Sequence, residues 1–157
     1  MRFVWVGAPD DGPSRWILDH DVRCAGLSDR FTFTGTTDEG DAWIEAFDVL
    51  CLTSRLDPPP PAALIAGALG VPLVGFGQEG LQQMADEAGG APAVHAVPYL
   101  DVEAMAEAVA ALVADPEVRA AGGEAFQDSV MGGRLTVDGA PEVWDVVRTA
   151  LAQGGPT

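Results

Sequence analysis

The chain has 157 residues, the length of one domain large enough to bury a hydrophobic core. Its 24 acidic residues face eight arginines and no lysine, so the net charge is −16. Such a charge repels nucleic acid and anionic membrane surfaces, which excludes nucleic acid as a partner, although an adaptation for solubility would produce the same acidic excess.

Five short apolar runs predict β-strands, and most are continuous rather than alternating, as in parallel strands covered on both faces. They are Phe3–Val6, Phe31–Thr34, Val49–Thr53, Leu73–Phe76 and Ala93–Val97. Helical segments are predicted between and after them. These are Ser14–Ala25, Asp41–Phe47, Pro61–Leu69, Gly80–Ala88, Val102–Ala114, Glu117–Val130 and Pro141–Gln153. The alternation predicts one Rossmann-like α/β domain over residues 1–153, with a parallel sheet and helices on both faces.

Several residues predict where helices begin and end. Asp101 is a candidate N-cap, and Asp115 followed by Pro116 ends one helix and starts the next. The pair Gly122–Gly123 weakens the helix that contains it. Residues 131–140 read as a loop, and residues 154–157 as a frayed tail.

The two cysteines and the N-terminus bear on the cellular compartment. Cys24 lies in a polar helical stretch, whereas Cys51 lies in an apolar strand and is predicted to be buried. No C-x-x-C spacing occurs, and the first apolar run is too short for a signal peptide. The uncharged stretch Ala62–Phe76 is also shorter than a membrane span. We therefore predict a cytoplasmic protein.

The sequence offers few side chains for catalysis or metal binding. His20 lies between Asp19 and Asp21, but neighbouring residues of a helix point apart, so we predict a solvated helical face rather than a metal site. His95 lies in an apolar strand and is predicted to be a satisfied core or strand-end histidine. Ser54 lacks the G-x-S-x-G context of a nucleophile. We predict no catalytic residue, no metal and no cofactor.

Residues 54–74 read SRLDPPPPAALIAGALGVPLV, a strand–loop–helix–strand stretch. The chain here resembles the retaining nucleotide-sugar glycosyltransferases of group 1, whose GT-B fold has two Rossmann-like halves. It is similar to their C-terminal half, which binds the nucleotide-sugar. Four more segments match that half in order, at residues 3–7, at residues 26–35, at residues 47–54, and at residues 97–99 with Asp101 and residues 105–106. The matching residues of the first stretch are Ser54, Arg55, Asp57, Pro58, Pro60, Ala66, Ala68, Gly70 and Pro72.

The resemblance implies a donor site at the carboxyl ends of the strands. The implied donor-binding candidates are Ser54, Arg55, Asp57, Gly77, Gly80 and Gln83. Asp57 takes the place of an acid that lies near the donor sugar in the family, and Gln83 takes the place of the acid in the family's glycine loop. The implied partner is a nucleotide-sugar.

The chain also departs from the family pattern. Ile65 replaces the glutamate that holds the ribose, and Glu79 replaces the first glycine of the glycine loop. The family's phosphate-binding lysine and arginine have no match, and neither does its acceptor-binding half. The resemblance further implies that the family's first, central strand is lacking, which leaves a gap in the sheet. We expect a partner strand or a rearranged sheet to fill the gap, and a homodimer or a domain swap as the form of association. The missing half or another chain is the implied protein partner.

Three functions remain open. The chain is the nucleotide-sugar-binding half of a glycosyltransferase, incomplete and inactive alone; or a degenerate homologue acting as a non-catalytic interaction or scaffolding module; or an unrelated flavodoxin-like binding module. The aligned segments disfavour the third. The replacements at Ile65, Glu79 and Gln83 favour the second function, the degenerate homologue, because they change residues with which the family binds the donor.

Overall fold

The computed structural model describes residues 1–7, 11–55 and 61–132. Strands and helices alternate along these residues. The strands are β1 Phe3–Val6, β2 Phe31–Gly35, β3 Leu50–Leu52, β4 Leu73–Phe76 and β5 Val94–Val97. The helices are α1 Gly12–Cys24, α2 Gly40–Glu45, α3 Pro61–Ala68, α4 Glu79–Ala88, α5 Val102–Ala114 and α6 Pro116–Met131. All five predicted strands are confirmed, with ends that differ by at most a residue or two.

The strands of the described residues pair only in parallel. β3, β4 and β5 form one sheet in that order, and β1 pairs with β2 in a second sheet. This confirms the predicted parallel α/β architecture. Within the described part of the chain, β1 and β3 each pair on one side only, so the strands separate at the place where the resemblance implies a missing central strand.

The hydrophobic core lies on the two faces of β4, because successive side chains of a strand point to opposite faces. Leu73 faces a cluster that α3, α4 and α6 cover, with the fully buried Phe126 of α6 at its centre. Val74 and Phe76 face a smaller cluster that α5 covers through Met105 and Leu112. Helices therefore cover both faces, as predicted.

Cys51 is exposed, so the prediction that it is buried is wrong. It pairs with Val74 and thus lies on the face that α5 covers at β4 and β5. The main packing of α5 is on β4 and β5. An apolar strand pattern cannot reveal which strand a helix covers.

The predicted boundaries of α5 and α6 are confirmed at the atomic level. The Asp101 carboxylate accepts a hydrogen bond from the Ala104 amide at 2.9 Å, which caps α5. The Asp115 carboxylate accepts hydrogen bonds from the Glu117 and Val118 amides at 3.0 and 3.1 Å. Pro116, which has no amide hydrogen to satisfy, begins α6.

The sequence predicts that the two glycines of α6 weaken this helix. The structure shows that they also let its backbone pack closely against neighbouring loops. A Cβ atom on Gly123 would overlap the carbonyl oxygen of Gly70, and one on Gly122 would lie 2.5 Å from the carbonyl oxygen of Pro92. The α6 backbone therefore lies directly against the two loops that enter β4 and β5. Gln127 of α6 adds a hydrogen bond to the Ala68 carbonyl at 2.7 Å.

Aromatic pairs hold the β1–α1–β2 unit together. The Phe3 ring stacks on the Phe31 ring with their centroids 6.0 Å apart, and the Trp5 and Phe33 ring centroids are also 6.0 Å apart. The Arg15 guanidinium of α1 lies 4.5 Å above the Phe33 ring. None of the core clusters of the described residues includes a side chain from this unit.

Some predictions fall on residues that the structure does not describe. The predicted loop from residue 133 onward, the predicted helix Pro141–Gln153 and the tail 154–157 lie outside the described residues. The extent of the domain, residues 1–153, stays a prediction. In the described ranges, every helix is too short or too polar to cross a membrane.

Candidate functional site

The site candidates lie at the edge where β3, β4 and β5 end. Because the three strands are parallel, their carboxyl ends meet at one edge. The chain leaves that edge through Thr53–Arg55 after β3, Gly77–Gln78 after β4 and Pro98–Asp101 after β5. The helices α4 and α5 begin at the same edge. Crevices of this kind are where open α/β sheets bind their ligands.

The turn from β4 into α4 leaves little room for a side chain at its glycine. The Gly77 amide donates a hydrogen bond to the Val97 carbonyl at 2.7 Å, which joins the ends of β4 and β5. A Cβ atom on Gly77 would lie 3.1 Å from that same carbonyl oxygen, and one on Gly75 would lie 2.6 Å from the Leu81 side chain. The first turn of α4, with buried Gly80 and Leu81, thus packs closely onto β4.

Two opposite charges flank this turn. Arg55 is exposed after β3 and makes no ion pair with any residue that the structure describes. Glu79 is exposed in the first turn of α4, where the helix dipole stabilises a negative charge. Elsewhere, Arg15 pairs with Asp19 at 3.1 Å.

Four of the predicted donor-binding residues follow the carboxyl ends of the strands: Ser54 and Arg55 after β3, Gly77 after β4, and Gly80 in the first turn of α4. Gln83 lies on the exposed side of α4, and its amide donates a hydrogen bond to the Glu87 carboxylate at 2.8 Å. Asp57 lies outside the described residues. The binding roles of these residues stay predictions.

Ile65 belongs to α3 and is half-buried against the larger core cluster. An aliphatic side chain at this position adds to the packing of α3, and it offers no hydrogen-bond acceptor for a ribose. The replacement of the family's ribose-binding glutamate by Ile65 stays a prediction.

Sequence reasoning missed two residues at the same edge, Tyr99 and Leu100. Both are exposed, and Leu100 has a backbone φ of +61°, the left-handed conformation that glycine or asparagine usually adopts. The only available signal was position, since Leu100 directly precedes the helix cap Asp101. A leucine there gives no hint of a left-handed backbone.

Of the two predictions for the histidines, one is confirmed and one is wrong. His20 is exposed on α1, as predicted, with its Nε2 atom 3.4 Å from the Cys24 sulfur. The prediction that His95 is satisfied is wrong, because its Nε2 atom is buried without a hydrogen-bond partner among the described residues. Desolvation by burial lowers the pKa of His95. The described residues contain no cluster of three metal-ligating side chains.

Known proteins are similar to this chain in sequence. The family model of the glycosyl transferases group 1 matches residues 1–115. A 2-deoxystreptamine N-acetyl-D-glucosaminyltransferase of Streptomyces fradiae is 36% identical over 117 residues, which are 73% of this chain and 26% of the relative. A 2-deoxystreptamine glucosyltransferase of Streptomyces kanamyceticus is 39% identical over 83 residues, which are 52% of this chain and 21% of the relative. The chain therefore spans about a quarter of the length of these relatives.

Solved structures share the fold. Sucrose-phosphate synthase from Thermosynechococcus elongatus superposes with a TM-score of 0.76 at 25% identity, over 96% of this chain and 39% of the synthase. Anabaena HepE in complex with UDP superposes with a TM-score of 0.77 at 15% identity, over 93% of this chain and 40% of HepE. Both neighbours have the GT-B fold, which confirms the fold that the resemblance implies. The chain therefore belongs to the family of the glycosyl transferases group 1.

Proposed function

We propose that the chain is the nucleotide-sugar-binding domain of a glycosyltransferase and that the donor binds at the carboxyl ends of β3, β4 and β5. The observation that carries this proposal is the position of Ser54, Arg55, Gly77 and Gly80 after the carboxyl ends of β3 and β4 in a member of this family. Arg55 offers a guanidinium to the diphosphate, and the turn at Gly77 lets a ligand approach the backbone closely.

The relatives narrow the substrate class. The two curated relatives are named for transfer of N-acetylglucosamine or glucose to 2-deoxystreptamine, and the Anabaena neighbour was solved with UDP. We infer a UDP-hexose donor and an aminocyclitol acceptor for the enzyme to which this domain belongs. An acceptor that carries amines is a cation at neutral pH, and the net charge of −16 attracts cations.

We expect the chain alone to bind the donor weakly and to transfer no sugar. Ile65 cannot accept a hydrogen bond from the ribose, and Glu79 repels a diphosphate at the start of α4. The family's acceptor-binding half has no match in the chain. Sugar transfer then requires that half, in the same polypeptide or in a partner chain, and no metal or cofactor.

A titration of the ¹⁵N-labelled chain tests the proposal. UDP, GDP, ADP, UDP-glucose and UDP-N-acetylglucosamine are each added while amide chemical shifts are recorded. We expect shifts around residues 53–55 and 77–80, largest for the UDP ligands, with a Kd on the order of 1 mM. Arg55→Ala should abolish them. Arg30→Ala removes the same charge from the start of β2 and should leave them unchanged.

Two results of this titration would reject the proposal. One is the absence of shifts with every nucleotide at millimolar concentration. The other is equal weakening by Arg55→Ala and Arg30→Ala, which would reveal a general charge effect instead of a site.

The second candidate function is a non-catalytic interaction module. The packing of Ile65 into the core and the charge of Glu79 favour it, because both oppose donor binding. The same titration separates the two functions, since the module predicts no nucleotide binding at all. A module would instead bind a protein partner through a surface that Arg55→Ala leaves intact.

A further inference from the structure

A histidine and a cysteine meet on the outer face of α1, at the end of the helix that leads into β2. His20 and Cys24 are four positions apart, so their side chains lie one turn apart on the same side of the helix. The His20 Nε2 atom lies 3.4 Å from the Cys24 sulfur. Both residues are exposed, so the pair is accessible from solvent.

The distance between these two atoms suits a shared zinc ion. Zinc binds cysteine sulfur at about 2.3 Å and histidine nitrogen at about 2.0–2.1 Å, and a tetrahedron with these bonds places the two ligand atoms about 3.5 Å apart. The observed 3.4 Å is close to that separation. A hydrogen bond between the thiol and the imidazole fits the same distance, and a metal titration distinguishes the two.

A single chain supplies only half of a zinc site. Structural zinc has four protein ligands, whereas the described residues contain no group of three side chains that could hold a metal. A second copy related by a two-fold axis brings another His20 and another Cys24 to the same ion. The completed set of two thiolates and two imidazoles is a common ligand set of structural zinc.

The surface around the pair favours contact between two copies. Trp16 and Ile17 are 72% and 61% exposed, and they lie one turn before His20 on the same side of α1. Residues 1–35 contain four arginines and five acidic residues, whereas the rest of the chain contains four arginines and 19 acidic residues. Repulsion between two copies is therefore weakest where the two α1 helices face each other, and burial of the apolar side chains adds to the association.

We propose that a zinc ion joins two copies of the chain through His20 and Cys24 of each copy. Each Cys24 thiol releases its proton to solvent as the sulfur binds the metal, so nothing is oxidised or reduced. Because β1 and β2 are parallel, α1 runs back along them and ends at their amino ends. The donor-binding candidates instead follow the carboxyl ends of β3 and β4, so the zinc is structural and takes no part in sugar transfer.

Sedimentation velocity of the full chain, with a reducing agent present, tests the proposal. The chain is measured in EDTA and then with increasing ZnCl₂. We expect zinc to add dimer beyond any association seen in EDTA, and the effect to saturate at one metal ion for two chains. CoCl₂ in place of zinc should give the visible absorption of tetrahedral cobalt together with a thiolate-to-cobalt charge-transfer band.

The chain has two cysteines and two histidines, so each proposed ligand has a matched control. Cys24→Ser and His20→Ala should each weaken the zinc-dependent dimer by more than about tenfold, since even the outer-shell partners of metal ligands are worth that much. Both side chains are exposed, so the fold is kept. Cys51→Ser and His95→Leu should form the zinc-dependent dimer like the unsubstituted chain.

Four results would overturn the proposed zinc site. They are identical sedimentation in zinc and in EDTA, zinc binding without dimer formation, equal losses with Cys24→Ser and Cys51→Ser, and a dimer that forms only without the reducing agent. The last result would reveal a disulfide between two copies. The zinc site and the donor site are independent, because the nucleotide titration is performed in EDTA and the zinc titration without nucleotide.

Discussion

Leu100 shows how one backbone angle affects stability at the residue scale. A residue with a Cβ atom in the left-handed region costs about 1–2 kcal/mol, whereas glycine adopts it freely. Glycine also makes the unfolded chain more flexible, which offsets part of the gain. We expect Leu100→Gly to raise the free energy of unfolding by about 0.5–1 kcal/mol, measured by chemical denaturation. Leu100→Asn should show a smaller gain, and a loss with both variants would mean that the leucine packs productively in the folded chain.

Replacing Ile65 with glutamate should restore a hydrogen-bond acceptor for the ribose of the donor. Ile65→Glu returns a carboxylate to the position where the family holds the ribose. We expect donor affinity to improve by about 1.5–3 kcal/mol if the hydrogen bond is well aligned, as measured by calorimetry with UDP-glucose.

Leu64→Glu is the matched control for that substitution. Leu64 is the neighbour of Ile65 on α3 and packs against the same core cluster. The Leu64→Glu substitution therefore adds the same charge at a similar cost of burial. Improved affinity in both variants, or in neither, would contradict the assignment of Ile65 to the ribose position.

His95 predicts a pH dependence of stability. Burial lowers the pKa of His95 in the folded chain below its ordinary value of 6.5. Below pH 6.5 the unfolded chain therefore binds a proton that the folded chain still excludes, and stability falls until the pH reaches the folded pKa. In His95→Leu this component should vanish. Urea denaturation of both proteins from pH 7.5 to pH 5 measures the difference, and parallel pH profiles would show that His95 finds a partner when the chain is in solution.

At the scale of elements, the contact of α6 with the loops entering β4 and β5 decides the role of Gly123. Helix propensity alone predicts that Gly123→Ala stabilises the helix by about 0.5–1 kcal/mol. The packing predicts the opposite, since the new methyl group would overlap the Gly70 carbonyl and force α6 away, at a cost of about 1–3 kcal/mol.

Gly40→Ala is the control, because Gly40 begins α2 with open space around it. Thermal unfolding should show a large drop in Tm for Gly123→Ala and almost none for Gly40→Ala. A Gly123→Ala protein as stable as the unsubstituted chain would contradict the observed close approach.

At the scale of the whole molecule, β1 and β3 each pair on one side only within the described ranges, which predicts self-association of the isolated chain. The Leu50 amide bonds to the Pro72 carbonyl at 3.0 Å, so the next amide, that of Cys51, points away from β4 to the open side. Open strand edges recruit other strands. We expect a homodimer or a domain swap in sedimentation velocity at increasing concentration.

Two substitutions at one position test that expectation. Cys51→Pro removes the outward amide hydrogen and should shift the chain toward monomer, because proline cannot donate to a ladder. Cys51→Ser keeps the donor and should associate like the unsubstituted chain. A monomer at every concentration, with a closed sheet in solution scattering, would reject the prediction.

Much of the fold could be predicted from local sequence. Apolar runs of the right length placed all five strands, and Asp101, Asp115 and Pro116 marked the helix ends. These features depend on residues close together in the chain, where pattern and capping chemistry are strong. The same patterns, with their order and spacing, were enough to identify the family before any fold was known.

The sequence by itself therefore determined the parallel α/β class, the strand and helix positions, the acidic charge and the family. Only the tertiary structure decided that Cys51 is exposed, that the buried His95 nitrogen has no partner among the described residues, that Gly123 lies against Gly70, and that Leu100 has a left-handed backbone. It also placed the Tyr99 ring against the ring of Phe76. Each of these properties depends on which distant segments meet in space, and packing between distant segments leaves no periodic trace in the chain.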